Sequence, residues 1–399
     1  MELMLWEWLG TLVRWLHVIA AIAWIGSSFY FIHLDLSLRK RAGQAEGVMG
    51  EAWQVHGGGF YHMQKYGVAP ARMPEELTWF KWEAYTTWLS GFALLVVVYY
   101  VGAATYLVDP AVAALSPMQA VGLSVGGIVL GWLAYNGLCR SPLGKSDLWL
   151  GLATYGFLVL AAWGFAQLFS GRGAYMQVGA MAGTMMAANV AMVIIPNQRK
   201  VVADLLNGRC PDPSLGKQAK QRSLHNNFLT LPVVFLMLGN HMPLAFGSPY
   251  AWVIVALVLP VGAAIRHFFN SCHAGKPTPW WTWGVAAAGM AGVIALSIAG
   301  TAHAAEPPKG MTAEGFAAVE EIVTTRCSMC HAAQPAWDGI VAPPKGVRLD
   351  SADAIARHLI QVRVQSALTH AMPPANVTEM TAEERAILRA ATENLRPGW

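Results

Sequence analysis

Cys327, Cys330 and His331 stand together in the stretch TTRCSMCHAA, Thr324 to Ala333. The spacing C-x-x-C-H is the one at which two thiols form thioethers to a haem while the next residue's imidazole takes an axial position on the iron. A zinc site would need further ligands, and the sequence holds no second cysteine pair. Downstream, HAMPPAN puts Met372 ahead of two prolines that fix the backbone, so Met372 is the expected sixth ligand. His370 and Met380 compete with it, but Met380 lies at the start of a capping box, where its side chain is committed to a helix terminus. Met/His ligation raises the reduction potential of such a haem. The tail is thus predicted to carry one covalent haem c, an acceptor of single electrons.

Polar side chains inside apolar runs form a second group. Arg14, His17, Trp24 and Ser28 recur on one face of the first run. Such residues are costly in a bilayer and usually face a cavity or cofactor. His17 could ligate a haem b, with Arg14 placed for a propionate. A second reading has His17 bonded to a neighbouring helix, as polar residues between spans commonly are. The stretch RSLHNNFLTLPVVFLMLGNH adds His225 and His241, sixteen residues or roughly 24 Å of helix apart. The same interval separates His17 from His33. Sixteen steps of about 100° leave the two side chains on nearly opposite faces, so two stacked haems require a kink, which Pro232 could supply, or ligands from loops. One or two haem b groups are expected, with His17 and His241 as the outer ligand pair and His225 near the other end.

The third group lies between Gly50 and Thr86, a long connection of the kind that usually has a function. His56 and His62 suit proton transfer near neutral pH, while Lys65, Arg72 and Lys81 suit an anionic ligand. Gly57, Gly58 and Gly59 permit close approach of backbone to a ligand. The same composition fits an interfacial segment in which Trp79, Trp82 and Trp88 form an aromatic belt.

These residues must be positioned by an unusually apolar chain. Of 399 residues, 55% are hydrophobic and 13% charged, about half the usual charged fraction. Eight apolar runs approach the roughly 20 residues that cross a hydrocarbon layer: 6–31, 87–108, 118–138, 148–169, 176–195, 228–244, 251–265 and 281–299. Basic residues cluster after the odd-numbered runs, at Arg39, Lys40, Arg41, Arg140, Lys145, Arg199, Lys200, Arg266 and Lys276 among others, whereas the opposite loops hold only Arg172. The positive-inside rule therefore makes the odd loops cytoplasmic and both termini periplasmic, in a bacterial inner membrane. Attachment of haem c on the periplasmic side leads independently to the same topology. Residues 1–300 carry 18 basic and 12 acidic side chains. That excess is loop anchoring, and nucleic acid is not an expected partner.

The expected architecture is all-α: a polytopic membrane helix bundle of about eight spans over residues 1–302, a linker at 303–310, and a small class I cytochrome c domain over 311–399. TAHAAE in the linker reads as a small-residue connection, with cleavage after Ala304 as the alternative. In the tail, helices are predicted over Gly315–Thr325 and from the capping box at Thr381–Glu384.

Four stretches together, RWLHVIAAIAWIGSSFYFIHLD, VHGGGFYHMQKY, LTWFKWEAYTTWLSGFALL and RSLHNNFLTLPVVFLMLGNH, resemble the bacterial membrane-bound urate hydroxylases (PuuD-type), many of which carry a C-terminal cytochrome c. The resemblance implies oxidation of urate to 5-hydroxyisourate, with water as the oxygen source. Electrons would reach haem c and then a terminal cytochrome oxidase or a soluble cytochrome c, without hydrogen peroxide. It assigns no urate-contacting residues. Those come from chemistry: Lys65, Arg72 or Lys81 for the anion, and His56 or His62 as base. The alternative is a membrane cytochrome oxidising quinol or another small molecule, and a further one is a transporter or sensor with a tethered cytochrome.

Overall fold

Short polar side chains set where the helices begin. Ser116, Ser146 and Ser170 each accept a hydrogen bond from a backbone N–H of the first turn that follows, satisfying groups the helix itself leaves open. Asp212 does the same for the helix that Pro213 opens. Ser116 and Gln119 form a complete capping box.

The computed structural model describes residues 2–68, 70, 73–110, 112–239, 242–299, 313–340 and 343–393. Helix α1 spans Glu2–Ser37, and α2, Trp82–Leu94, continues through a π-helical turn at Leu95–Tyr100 into the short α3, Ala103–Tyr106. Then follow α4 (Pro117–Arg140), α5 (Asp147–Ala166), α6 (Gly171–Ala188) with a π-helical turn leading to α7 (Ile195–Leu206), α8 (Pro213–Leu238), α9 (Pro243–Phe246), α10 (Ala251–His273) and α11 (Trp281–Ala299). Six segments are long and apolar enough to cross a membrane: Trp8–Ser37, Pro117–Arg140, Asp147–Ala166, Gly171–Leu206, Ala251–His273 and Trp281–Ala299. The chain has the make-up of a multi-pass membrane protein. The other two expected spans form helices that fall short as single apolar elements: α2 is 13 residues long before its π-turn, and the first half of α8 carries Lys217, Lys220 and Arg222.

The core lies where α4, α5, α6, α8 and α10 meet, around fully buried Tyr135, Leu158, Met181, Met185 and Ile254. Within it Ser124 and Gln177 satisfy each other, as their desolvation requires, whereas the buried Tyr175 hydroxyl has no partner. Ser124 donates to Gln177 Oε1 at 2.6 Å, and Gln177 Nε2 returns a bond to the Ser124 carbonyl at 2.7 Å. By contrast α1 is peripheral: only 6% of its most apolar window is buried.

The connection after α1 departs from an all-α fold. It folds into an antiparallel hairpin, β1 (Val48–His56) with β2 (Gly59–Tyr66), in which Glu51 faces Gln64 and Trp53 faces His62. Gly57 and Gly58, both at positive φ, make the two-residue turn whose twist matches that of the strands. The helix-period reading of the flanking spans gave no signal for it. Its period-2 alternation is short and half polar.

The tail has its own core of Val319, Val323, Ile355, Leu359, Met380 and Leu388, built by α12 (Ala313–Arg326), α13 (Ser328–His331), α14 (Ala352–Val362) and α15 (Ala382–Ala391). The predicted helix into the cysteine motif and the Thr381–Glu384 capping box are both present. Helix α15 ends at Ala391; Pro397, Gly398 and the linker 303–310 lie outside the described residues. The tail meets the bundle at the end opposite the hairpin, where the turn Pro374–Asn376 packs on α3 and the turn Arg363–Ala367 on α9. Ala371 joins the bundle's core. We refer to the two ends of the bundle as the hairpin end and the tail end.

Candidate functional site

His17 lies midway along α1 and faces α2. Its Nδ1 is 3.0 Å from the Thr87 carbonyl and 3.2 Å from Ser90 Oγ. A carbonyl can only accept, so Nδ1 carries the proton and Nε2 is left with a free lone pair. This is the arrangement by which metal-ligating histidines are oriented. Gly91 makes it possible, since a Cβ there would stand 2.8 Å from His17 Cε1. Beyond the ring a cavity of about 420 Å³ opens between α1, α2, α6 and α8. Arg14, Trp24, Phe92, Met176, Thr184 and Met237 are among its walls. An apolar cavity with one oriented imidazole and one cation at its edge fits a haem b and its propionate. His241, the expected partner of His17, lies outside the described residues.

His225 does not line this cavity. Its Nδ1 is 2.8 Å from the Tyr135 hydroxyl, within a network that Asn189 extends to Tyr135 and to Asn226. Buried Arg222 donates to Asn189 at 2.9 Å and to Asn136 at 2.7 Å. Asn189 and Asn136 are thus the partners of a buried cation.

The hairpin residues are dispersed. His62 Nε2 is 2.9 Å from Glu51 Oε2, its ring stacks on Trp53 at 4.1 Å, and Arg41 approaches the same carboxylate at 3.5 Å. The hydrogen bond from His62, against a smaller effect of burial, holds the Glu51 carboxyl below its ordinary range. Lys65 points to the other face and pairs with Asp35. His56 is exposed beside the turn, and Lys81 lies 5.6 Å over the Trp82 ring. Arg72 lies outside the described residues. Of the four that are described, His62 pairs with Glu51 and Lys65 with Asp35, and both side chains remain partly exposed.

A cluster that the sequence reading used only as a charge marker lies beside the hairpin. Arg266 on α10 is 5% exposed. It donates through Nε to Asn227 Oδ1 at 3.3 Å and through Nη2 to Asn270 Oδ1 at 3.2 Å, with its guanidinium 3.7 Å from the Phe29 ring centroid. His33 and His273 meet edge to face at 4.3 Å. With Phe29, Tyr30, Arg266 and Phe269 they line an open cleft of about 470 Å³. The signal was present: Arg266, Asn270 and His273 recur at helical spacing within an apolar run.

In the tail, His331 Nδ1 is 2.9 Å from the Val347 carbonyl, again leaving Nε2 free. Burial pushes the Cys327 thiol up to about 12 and raises Cys330 too. One buried and one half-buried thiol beside an oriented imidazole, with no further cysteine pair in the chain, fit a group held by thioethers better than an exchangeable metal. Met372 is half-buried, its carbonyl held by Arg385 Nη1 at 2.9 Å. Met380 is 3% exposed within the tail core, which favours Met372 as the axial sulfur. Among the described residues no group of three or more His, Cys, Asp or Glu could hold a free metal ion.

The family model described as urate oxidase N-terminal matches residues 3–297. No curated protein and no solved structure matches the chain.

Proposed function

The chain belongs to the urate oxidase N-terminal family, and from that premise we propose that it oxidises urate to 5-hydroxyisourate at a membrane. Urate and one water give 5-hydroxyisourate, two protons and two electrons. The family match over nearly the whole bundle carries this reading, and the oriented imidazoles of His17 and His331 support its electron-transfer half.

The residues that would hold the carriers are His17 with Arg14 in the bundle, and Cys327, Cys330, His331 and Met372 in the tail. Haem bound at these places supplies one-electron steps, so that the pair of electrons leaves singly towards a terminal cytochrome oxidase or soluble cytochrome c, and no peroxide forms. The chain's own part is orientation. Thr87 and Ser90 fix the His17 ring, Val347 fixes that of His331, and Arg385 holds the Met372 loop.

The distribution of basic loops supports a cytoplasmic hairpin end and a periplasmic tail end in a bacterial inner membrane. In this topology α2 with its π-turn and α8 complete eight spans. The test is anaerobic addition of urate to membranes lacking oxidase. The α-band of haem c develops with urate and not with quinol. Reduction by quinol alone would establish the quinol-oxidising alternative instead.

A further inference from the structure

We infer that the cleft between α1 and α10 at the hairpin end binds the urate anion, with Arg266 as its charge partner. The inference rests on the urate reading above and adds the place and the residues.

Arg266 is a buried cation, and among the described residues no carboxylate pairs with it. Its partners Asn227 and Asn270 are neutral, and Asn270 also donates to Asn227 at 2.9 Å, so the amides fix the guanidinium without neutralising it. An uncompensated charge at this depth is expensive and marks a site for an opposite charge. Two buried polar atoms nearby lack partners: Asn227 Nδ2, on a fully buried residue, and His273 Nδ1. Urate offers what they lack, a negative charge and carbonyl oxygens around a flat ring. The aromatic walls suit such a ring: Phe29 already stacks with the guanidinium, and the Phe269 ring lies 6.4 Å from that of His273. A cleft of about 470 Å³ is of the size that holds a small molecule.

A second haem is the competing occupant. Two imidazoles sharing an iron, each with a bond of roughly 2 Å, stand with centroids on the order of 6 Å apart. His33 and His273 at 4.3 Å leave no room for the metal. The hairpin forms the rim: Tyr30 donates to Gln54 of β1 at 2.8 Å, and Arg39 donates to the His273 carbonyl at 3.1 Å.

The test uses the full chain purified with its haems. Equilibrium dialysis with radiolabelled urate measures binding, and anaerobic haem c reduction measures turnover. Arg266→Gln weakens urate binding about tenfold to a hundredfold and raises KM while leaving the rate at saturation and both haem contents near wild type. Arg266→Lys restores part of the loss. His273→Gln, at the rim and outside the asparagine network, gives a smaller rise in KM and serves where Arg266→Gln does not accumulate. Unchanged KM and binding in both variants, with a wild type that urate reduces, overturns the site and spares the activity. Arg266-dependent binding without reduction upholds the site and overturns the activity. A wild type that binds no urate overturns the site.

Discussion

His17 and His331 are oriented alike in two unlike regions. Each directs Nδ1 at a backbone carbonyl, Thr87 at 3.0 Å and Val347 at 2.9 Å. In the tail that carbonyl lies sixteen residues downstream and the thiols lie within the preceding four residues. In the bundle it lies seventy residues away on another helix, and the cavity exists only once α1, α2, α6 and α8 have packed. One site is written contiguously, and the haem proposed for it would be fixed by covalent bonds. The other is assembled by tertiary structure and held by shape.

The sharpest way to break the comparison is to remove each imidazole or its anchors. His17→Ala is expected to abolish noncovalent haem and leave haem c intact. Cys327→Ala with Cys330→Ala does the reverse. A pyridine haemochrome assay reads both, and full noncovalent haem in His17→Ala would mean that the two regions share nothing.

A subtler change is Gly91→Val, which drives a side chain into the His17 ring. Noncovalent haem affinity should fall about tenfold to a hundredfold, as when an outer-shell partner is lost. Unchanged content would show that the Gly91 contact does not set the ring.

The regions also differ in acid response. Burial works against the Glu384 carboxylate, but the Thr381 N–H and the Arg326 guanidinium outweigh it and hold the group below its ordinary value. A depressed carboxylate contributes stability above its unfolded pKa of about 4.3 and loses it as pH falls through the folded value. Denaturant melts of the tail should therefore be flat near neutrality and weaken below about pH 4. Glu384→Gln should weaken that dependence and leave the part due to Asp350, which the Ala333 N–H and Arg348 also hold low, and a tail equally acid-sensitive in the variant would rule this clasp out. Thr381→Ala, which deletes the cap, should cost about 1 kcal/mol in the same melts. The smallest effect is expected from Ser90→Ala. It leaves the Thr87 carbonyl in place and should weaken noncovalent haem binding by about threefold, roughly one neutral hydrogen bond.

This contrast also explains what could be read in advance. The capping box at Thr381 and six of the eight apolar runs are local patterns, and they appear in the structure where spacing puts them. The hairpin was missed because Glu51, Trp53 and Val55 alternate too briefly among polar neighbours to announce a strand. Arg266 was taken for a loop anchor because its sign fitted the charge rule. Only the packing of α8 on α10 reveals that Asn227 and Asn270 hold it inside. His225 was read as a ligand on position along its helix, whereas its direction is set by Tyr135, ninety residues away.

The shallow seating of α1 bears on handling. The helix that provides His17 is also the one least embraced by its neighbours, with Trp8, Trp15 and Ile22 each 65% exposed. Surrounding acyl chains therefore stand in for protein along most of its length. A short-chain surfactant that strips those lipids should release the haem proposed for the bundle while the one proposed at Cys327 and Cys330 stays, so cofactor stoichiometry would follow the choice of solubilising agent.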